Sequence, residues 1–332
     1  MKKILLATTV LTMSAGFAAA DMSVSGNGRM GIKSSDGNST FSSRVRLAFT
    51  GSGTTDAGLA FGGSARADNA SGAAAGTAGS VFISGAFGKI SMGDVDSGDN
   101  AAVGQLSSVG FAGVGSGNSI SYAADGGLTG TDNDGDLAGT GGAKVLYTYS
   151  AGALAVSASS GQLSNSDAGI HQAYGLGVSY TAGAVTLAAG YGSNSIEVTA
   201  GPRDGATGTI TDVTAAVTYA MGDTTFKAIY QNKSANVTFE DADVDLGSAV
   251  SMGVSVDHKI DAITLTAYTI STNVTSDDLG DLDVSVGRMG VGVSYDLGGG
   301  AKLKAGWAQL EALDGDTTAS VSAMDVGLNF SF

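Results

Sequence analysis

The sequence predicts an all-β fold, a 16-stranded antiparallel transmembrane β-barrel whose long third external loop folds into the pore. Three observations predict this fold. Alternating polar and apolar residues recur along the whole chain, turn-like sequences repeat at regular wide intervals, and no apolar run is long enough for a membrane-spanning helix. The 332 residues include 53 glycines, one proline and no cysteine, and 43% are hydrophobic, which argues against collagen, disorder and a small disulfide-linked domain.

Residues 1–20 are expected to be a signal peptide of the Sec type. Lys2 and Lys3 precede an apolar run that closes in GFAAA before Asp21. Its removal would leave residues 21–332 as the barrel domain of an exported protein. The net charge of −15 argues against nucleic-acid partners, which require basic surfaces.

Strands are indicated by alternation with a period of two residues. From residue 22 to residue 33, even-numbered positions are apolar or small and odd-numbered positions are polar or small. Residues 174–180 and 326–332 alternate in the same way. In a membrane barrel the apolar face of each strand meets lipid, and the polar face lines the interior.

A repeated Tyr-x-x-Gly pattern marks the strand ends in YTYSAGA, VSYTAGA, VTYAMGD and VSYDLGG. Its aromatic residues, with the last residue of the chain, form a predicted short-turn rim: Tyr149, Tyr180, Tyr219, Tyr295 and Phe332. Phe49, Phe87 and Val256 take corresponding places elsewhere, so eight strand ends predict sixteen strands. Aromatic rings suit the boundary between water and lipid, and the glycine that follows suits a tight turn.

The interval from Phe87 to Tyr149 is much longer than the others. The surplus falls in residues 94–142, a polar, glycine-rich and acidic stretch that we call the constriction loop. Loops of this length are usually functional, and in a wide barrel such a loop can fold inward. Its candidate acids are Asp94, Asp96, Asp99, Asp125, Asp132, Asp134 and Asp136.

Basic residues are predicted to face the lumen on the first three strands and on the penultimate strand. We call this set the basic wall: Arg29, Arg44, Arg46, Arg66, Lys302 and Lys304. A basic wall opposite an acidic loop would create a transverse field that selects among solutes. Alternatively, these charges only solvate a polar interior. The sign of ion selectivity stays open, because the net charge of −15 favours cations and the basic wall favours anions.

Catalytic and cofactor motifs are weak. GNGRMG lies inside an alternating strand, so it does not predict dinucleotide binding. DNDGD resembles the start of an EF-hand, but Leu137 and Ala143 occupy positions that need Gly and Glu. Incidental Ca²⁺ binding by loop carboxylates remains open, and no other cofactor or metal is expected. With no Cys and two His residues, the chain is not predicted to be an enzyme.

Several stretches resemble the Gram-negative general diffusion porins of Rhodobacter and related alphaproteobacteria: SSRVRLAFTGSGTTDAGLAFG, VFISGAFGKISMGD, YTYSAGA and SYDLGGGA. The resemblance covers the mature chain and implies a homotrimer in the cell outer membrane with a water-filled channel for passive diffusion of small hydrophilic solutes and ions. It implies that the arginine-lined wall corresponds to Arg29, Arg44, Arg46 and Arg66, and that the acidic loop begins at Asp94. It also implies that the barrel-assembly machinery recognises the C-terminal strand.

Small residues expected to face outward could allow subunits to meet: Gly26, Gly28, Gly63 and Ala65. Two alternatives remain: a structural or enzymatic outer-membrane barrel with a plugged lumen, and a secreted β-solenoid. A solenoid would show a short fixed repeat, whereas the turn-like sequences of this chain recur at wide intervals and the loops between them vary.

Overall fold

A computed structural model of the chain describes residues 21–35, 37–68, 79–114, 117–125, 144–161, 164–166, 169–197, 205–239, 242–276, 282–314 and 317–332. The predicted signal peptide and the predicted loop acids Asp132, Asp134 and Asp136 lie outside the described residues.

Antiparallel strands account for nearly all of the described chain. They are β1 Asp21–Ser35, β2 Asn38–Thr54, β3 Ala60–Asp68, β4 Gly79–Gly85, β5 Gly88–Gly93, β6 Lys144–Ala151, β7 Leu154–Ser160, β8 Ser164–Ser166, β9 Gly169–Ala182, β10 Val185–Glu197, β11 Thr207–Met221, β12 Thr224–Phe239, β13 Ala242–Ile260, β14 Ile263–Ser276, β15 Leu282–Gly298, β16 Ala301–Asp314 and β17 Thr317–Ser331. Between β5 and β6 lie the helix α1, Gly98–Val103, and a 3-10 turn, Ala123–Asp125. None of the helices in the described segments is long and apolar enough to cross a membrane.

The strands form one closed barrel with sixteen strand positions, each of which we call a stave. This confirms the predicted fold. β7 and β8 pair with successive parts of β9 and therefore make up a single stave. β1 pairs with β2 on one side and with β17 on the other, so that Arg29 lies opposite both Arg44 and Asn329. Closure leaves no unpaired edge strand, and it satisfies the backbone groups that lipid cannot hydrogen-bond.

Alternation along the strands places apolar side chains on the outside, as predicted. Met22, Val24 and Met30 are 66%, 62% and 53% exposed on the outer face of β1, where lipid would cover them. Gly26 and Gly28 do not provide open outer surface, because the rings of Phe332 and Phe330 cover them. These two glycines therefore accommodate aromatic side chains of β17 and cannot serve as subunit contacts.

The short-turn rim gathers at one end of the barrel. Tyr180 lies between Leu154 and Leu187 of the neighbouring strands, one or two residues from two short turns. Tyr149, Tyr219 and Tyr295 are 39–45% exposed, and Phe332 is 60% exposed. The rings therefore stand where the outer surface would pass from lipid to water.

Two-residue turns join the strand pairs at this rim. Gly152, Gly183 and Gly222 have φ values of 61°, 60° and 57°, which glycine adopts without strain. The corresponding residue between β13 and β14 is Asp261, with φ 52°. The sequence reading ended this strand at Val256, before Asp-His-Lys, and that reading is wrong, since β13 continues to Ile260. Asp tolerates the left-handed region better than most residues do.

Replacing Asp261 with Val is expected to lower the free energy of unfolding by about 1–3 kcal/mol, because a β-branched residue is strained at positive φ. Asp223→Val is the matched control, since Asp223 lies in the short turn between β11 and β12 and does not have positive φ. Denaturant unfolding in detergent micelles measures both. Equal losses of stability in the two variants would contradict the assignment of strain to Asp261.

Candidate functional site

The constriction loop lies inside the barrel. α1 packs on the inner faces of β9 and β10, and the Gly98 N–H donates to Ser159 Oγ of β7 at 2.8 Å. Farther along, Gly110 lies against Gly306 of β16, and the Phe111 ring lies over Gly31 of β1. The loop then returns toward β6, so its described part follows the inner wall from β7 to β17 and β1.

Side chains from the wall hold the backbone of this loop at several points. Lys227 Nζ donates to the carbonyls of Val103 and Gln105, and Arg288 Nη1 donates to the carbonyl of Ser119 at 2.8 Å. Asp325 accepts from the N–H groups of Phe111 and Ala112 at 3.1 and 2.9 Å, and Asp212 accepts from Ala123 N–H at 2.6 Å. These bonds satisfy loop backbone groups that would otherwise be buried without partners.

A small apolar core lies between the loop and the wall. Val103, Leu106 and Val109 of the loop are 3–4% exposed, and they cluster with Ile229 and Ile270 on inward faces of β12 and β14. Burial of these side chains and the anchoring hydrogen bonds together fix the loop across the lumen.

Asp99, a predicted constriction acid, does not face the channel. Its side chain is 0% exposed, and neither carboxylate oxygen has a hydrogen-bond partner among the described residues. It lies against Gly190 and Gly192, beside the Asp212 carboxylate. Burial raises the pKa of Asp99 to about 7, and the charge of Asp212 adds to this effect, whereas the Ser97 hydroxyl opposes it. The residue therefore supports loop docking in its protonated form.

Asp125 holds the loop together and does not line an open surface. It accepts from Ser97 N–H at 2.8 Å and from Asn100 Nδ2 at 2.9 Å, and it forms an ion pair with Lys144 Nζ at 2.6 Å. The Asp125 carboxylate thereby connects the start of α1 with Lys144 at the start of β6.

Asp94 and Asp96 remain as exposed acids at the start of the loop. They line a cleft with Lys89 and Ser91 of β5. Burial raises the pKa of Asp96, and the neighbouring Asp125 adds to the effect. Of the seven predicted loop acids, these two are therefore the described ones whose side chains can meet the channel water.

The basic wall lies across the ring from α1, because β1 and β10 are eight staves apart in a ring of sixteen. Lys302, Asn329, Arg29 and Arg44 occupy one row of register across β16, β17, β1 and β2. Arg44 Nη2 donates to Asn27 Oδ1 at 3.3 Å. The prediction that Lys302 approaches the arginines through barrel closure thus agrees with the register. Lys304 stands one inward position farther along β16, opposite Gly327.

Asp68 is part of this wall and escaped the sequence reading. Arg46 Nε donates to both Asp68 oxygens at 2.9 Å, and Arg66 Nε lies 3.4 Å from Asp68 Oδ1. The Asp68 side chain is only 5% exposed. Two of the four arginines therefore share one carboxylate, which offsets one of their two charges, and Arg29 and Arg44 form no salt bridge within the described chain.

The loop-anchoring residues Lys227, Asp212 and Asp325 were also missed, and Arg288 was expected to face inward but not to anchor the loop. Alternation places them inward, so their facing could have been predicted. Their partners lie far away in sequence, for example 214 residues between Asp325 and Phe111, so their role in anchoring the loop could not be predicted. Within the described segments, no group of three or more His, Cys, Asp or Glu residues could hold a metal ion.

Comparisons with known proteins agree with this geometry. The sequence profile of the Gram-negative porin family matches residues 7–315. A porin of Rhodobacter capsulatus is 36% identical over 324 residues, which cover 94% of this chain and 100% of the relative. A porin structure refined at 1.8 Å superposes with a TM-score of 0.72 at 31% identity, covering 94% of this chain and 100% of that one. The trimer form of OmpT, an outer-membrane protein of Vibrio cholerae, shares the fold at 19% identity and a TM-score of 0.72, with 94% and 99% coverage.

Replacing Gly306 with Ala is expected to push the loop away from β16 and lower the single-channel conductance. The added Cβ would lie 2.5 Å from Gly110 N and 2.6 Å from Gly110 Cα, so the backbone must move into the lumen. Gly287→Ala on β15 is the control, because the nearest atom would be 3.9 Å away. A conductance of G306A equal to that of the wild type would show that the loop does not border the open channel there.

Asp99 predicts a pH-dependent stability. Its folded pKa of about 7 exceeds the ordinary 3.8, so the native state is fully stabilised below 3.8 and loses stability as the pH rises toward 7. The full loss is on the order of 4 kcal/mol. Asp99→Asn mimics the neutral form of the side chain. The variant should therefore have a higher free energy of unfolding than the wild type, and this difference should be larger at pH 8 than at pH 5. Denaturant unfolding at both pH values measures this, with Asp94→Asn on the exposed part of the loop as control. An equal advantage at the two pH values would contradict a neutral native Asp99.

Proposed function

The chain belongs to the Gram-negative porin family and is an outer-membrane diffusion channel, and we propose that it acts as a passive homotrimer for small hydrophilic solutes and ions. Each subunit would contain its own water-filled lumen. The constriction loop and the basic wall would set the size limit and the ion preference. Transport would proceed down the concentration gradient, without catalytic turnover.

The observation that carries this proposal is the anchored loop that narrows the lumen beside the basic wall. The loop follows the inner wall from β7 to β17 and β1, where Phe111 borders the row that contains Arg29. Arg29 and Arg44 are half-buried cations with no acidic partner in a salt bridge within the described residues. Fixed charges in a narrow aqueous passage act on permeating ions at short range, where screening by salt is weakest. Fixed charges beside a narrow passage are therefore suited to selecting among permeating ions.

The homotrimer is proposed from the outer surface of the first strands and from the relatives. The OmpT structure of Vibrio cholerae is a trimer form. On this chain a groove runs over β2–β4 with small residues at its base, Gly51, Gly63 and Gly79, and apolar residues such as Phe49 and Val81 beside it. Because small residues let backbones approach closely, this groove supports the contact that Gly26 and Gly28 cannot provide.

Two further partners belong to the proposal. Outer-membrane lipid would cover the apolar outer face, and the barrel-assembly machinery would recognise the C-terminal strand. Phe330 lies near the end of β17 and Phe332 follows it, and their rings lie 6.2 Å apart at the short-turn rim. Incidental Ca²⁺ binding at the constriction loop stays a proposal as well, because Asp132, Asp134 and Asp136 lie outside the described residues.

Recordings from planar lipid bilayers test the proposed channel. Purified protein should insert in conductance steps that occur in triplets, with ohmic current that rises with salt concentration. A folded barrel that passed no current would contradict the channel and favour a plugged barrel with a structural or enzymatic role. Steps that occur singly would contradict the homotrimer alone.

Replacing Asp68 with Asn is expected to shift ion selectivity toward anions. The change releases Arg46 and Arg66 from their shared carboxylate and adds one positive charge to the lumen. A unit charge about 8 Å from the ion path contributes about 0.5 kcal/mol in water, so the chloride-to-potassium permeability ratio should rise about twofold. Reversal potentials in a KCl gradient measure the ratio. Asp223→Asn removes the same charge at a short turn and should leave it unchanged, and an unshifted D68N would exclude the basic wall from the filter.

A further inference from the structure

We propose that Arg29 and Arg44 form a binding site for a tetrahedral oxyanion, of the phosphate or phosphate-monoester class, inside the channel. The inference rests on the proposed function, because it assigns a ligand class to the wall that would act as the filter. The proposal is that these residues bind one anion at a defined place. This differs from a general electrostatic preference of the channel for anions.

The first argument is the register of the two arginines. Arg29 of β1 lies directly opposite Arg44 of β2, and both side chains point into the lumen. Lys302 stands in the same row on β16, with Asn329 of β17 between it and Arg29. Three cations therefore line one row, with an amide as the only other side chain among them.

The second argument is the lack of a counter-ion. Like charges directly opposite each other across two strands are destabilising unless something neutralises them. Asp68 offsets one of the two charges of Arg46 and Arg66 one row away. Asp325 and Asp68 attract Arg29 and Arg44 electrostatically, but no carboxylate among the described residues forms an ion pair with either of these two arginines. The Nε atoms of both are buried and have no hydrogen-bond partner within the described chain. An anion between the two guanidinium groups would remove this repulsion.

The third argument is the setting of the row. The Phe111 ring fills the space over Gly31 and Gly327, the next inward positions on β1 and β17. Asn329 Nδ2 donates to the Phe111 carbonyl at 3.1 Å, so the loop fixes one border of the site. Partial burial strengthens charge-assisted hydrogen bonds relative to those in open water. The half-buried guanidinium groups of Arg29 and Arg44 lie beside the anchored Phe111 ring. They therefore form a site with a fixed position.

The chemistry of guanidinium selects the ligand class. Each group presents a planar fork of donors that can bind two oxygens of one tetrahedral anion, whereas chloride can accept only as a point charge. Two forks at directly opposed positions of neighbouring strands suit an anion with three or four oxygens. Phosphate and phosphate monoesters meet this requirement and are small and hydrophilic enough for the proposed channel.

Inorganic phosphate as a blocker of chloride current tests the site. Wild-type trimers in a bilayer at about 0.1 M KCl, where the screening length is about 10 Å, should show a chloride current that falls with added phosphate and then saturates. Arg29→Lys and Arg44→Lys keep the charge but lose the fork, so each should weaken the block by about tenfold while the KCl reversal potential stays unchanged. Lys89→Gln removes a cation from β5, four staves away, and should leave the block within about twofold of the wild type, well short of the tenfold loss.

The outcomes separate the two proposals. A protein that conducts KCl but shows no saturable phosphate effect, or shows the same block in R29K and R44K, would overturn the oxyanion site and leave the channel in place. A protein that passes no current would overturn the channel itself. Heat-modifiable mobility on gels confirms that each variant forms a barrel, and if one lysine variant fails to fold, the other decides the question.

Discussion

Backbone hydrogen bonding in a medium without water is the constraint on which the rest of this structure depends. Lipid offers no donors or acceptors, so every N–H and C=O that crosses it must pair within the protein, and a closed sheet achieves this. Closure depends on the pairing of β1 with β17, which seats the Phe330 and Phe332 rings over glycines of β1. Because strands alternate, an apolar exterior brings with it an interior of polar side chains. The channel thus arises from the same pairing that makes the barrel stable.

A cluster of buried hydrophobic side chains lies between the wall and the constriction loop. Leu106 and Ile270 bury their side chains there, and glycines on the wall let the loop backbone approach closely. Charged wall residues such as Lys227 and Arg288 donate to loop carbonyls. Those residues are therefore engaged in holding the loop. The inward-facing charges thus fall into a set that anchors the loop and a set, Arg29 and Arg44, that forms no ion pair among the described residues.

Much of the fold could be predicted from sequence because lipid and water impose a period of two on every strand. The same parity predicts that Arg29 and Arg44 share the inward face, and the register places them directly opposite each other. Asp261 was missed because a left-handed turn without glycine carries little local signal. The buried position of Asp99 could not be predicted, since it depends on glycines of β10 that lie far away in the chain. Asp68 as the partner of Arg46 required the register between β2 and β3, which the sequence indicates only loosely.

The anchored loop also has a mechanical meaning. A cylinder one sheet thick resists stretching along its hydrogen bonds but bends easily when pressed from the side. Here the constriction loop lies inside the cylinder and is hydrogen-bonded to Ser159 on β7, to Lys227 on β12 and to Asp325 on β17. Compression of the cylinder by the surrounding bilayer must also deform the constriction loop and the hydrophobic cluster buried beneath it. The cross-section of the passage is therefore braced from within by the same contacts that anchor the loop.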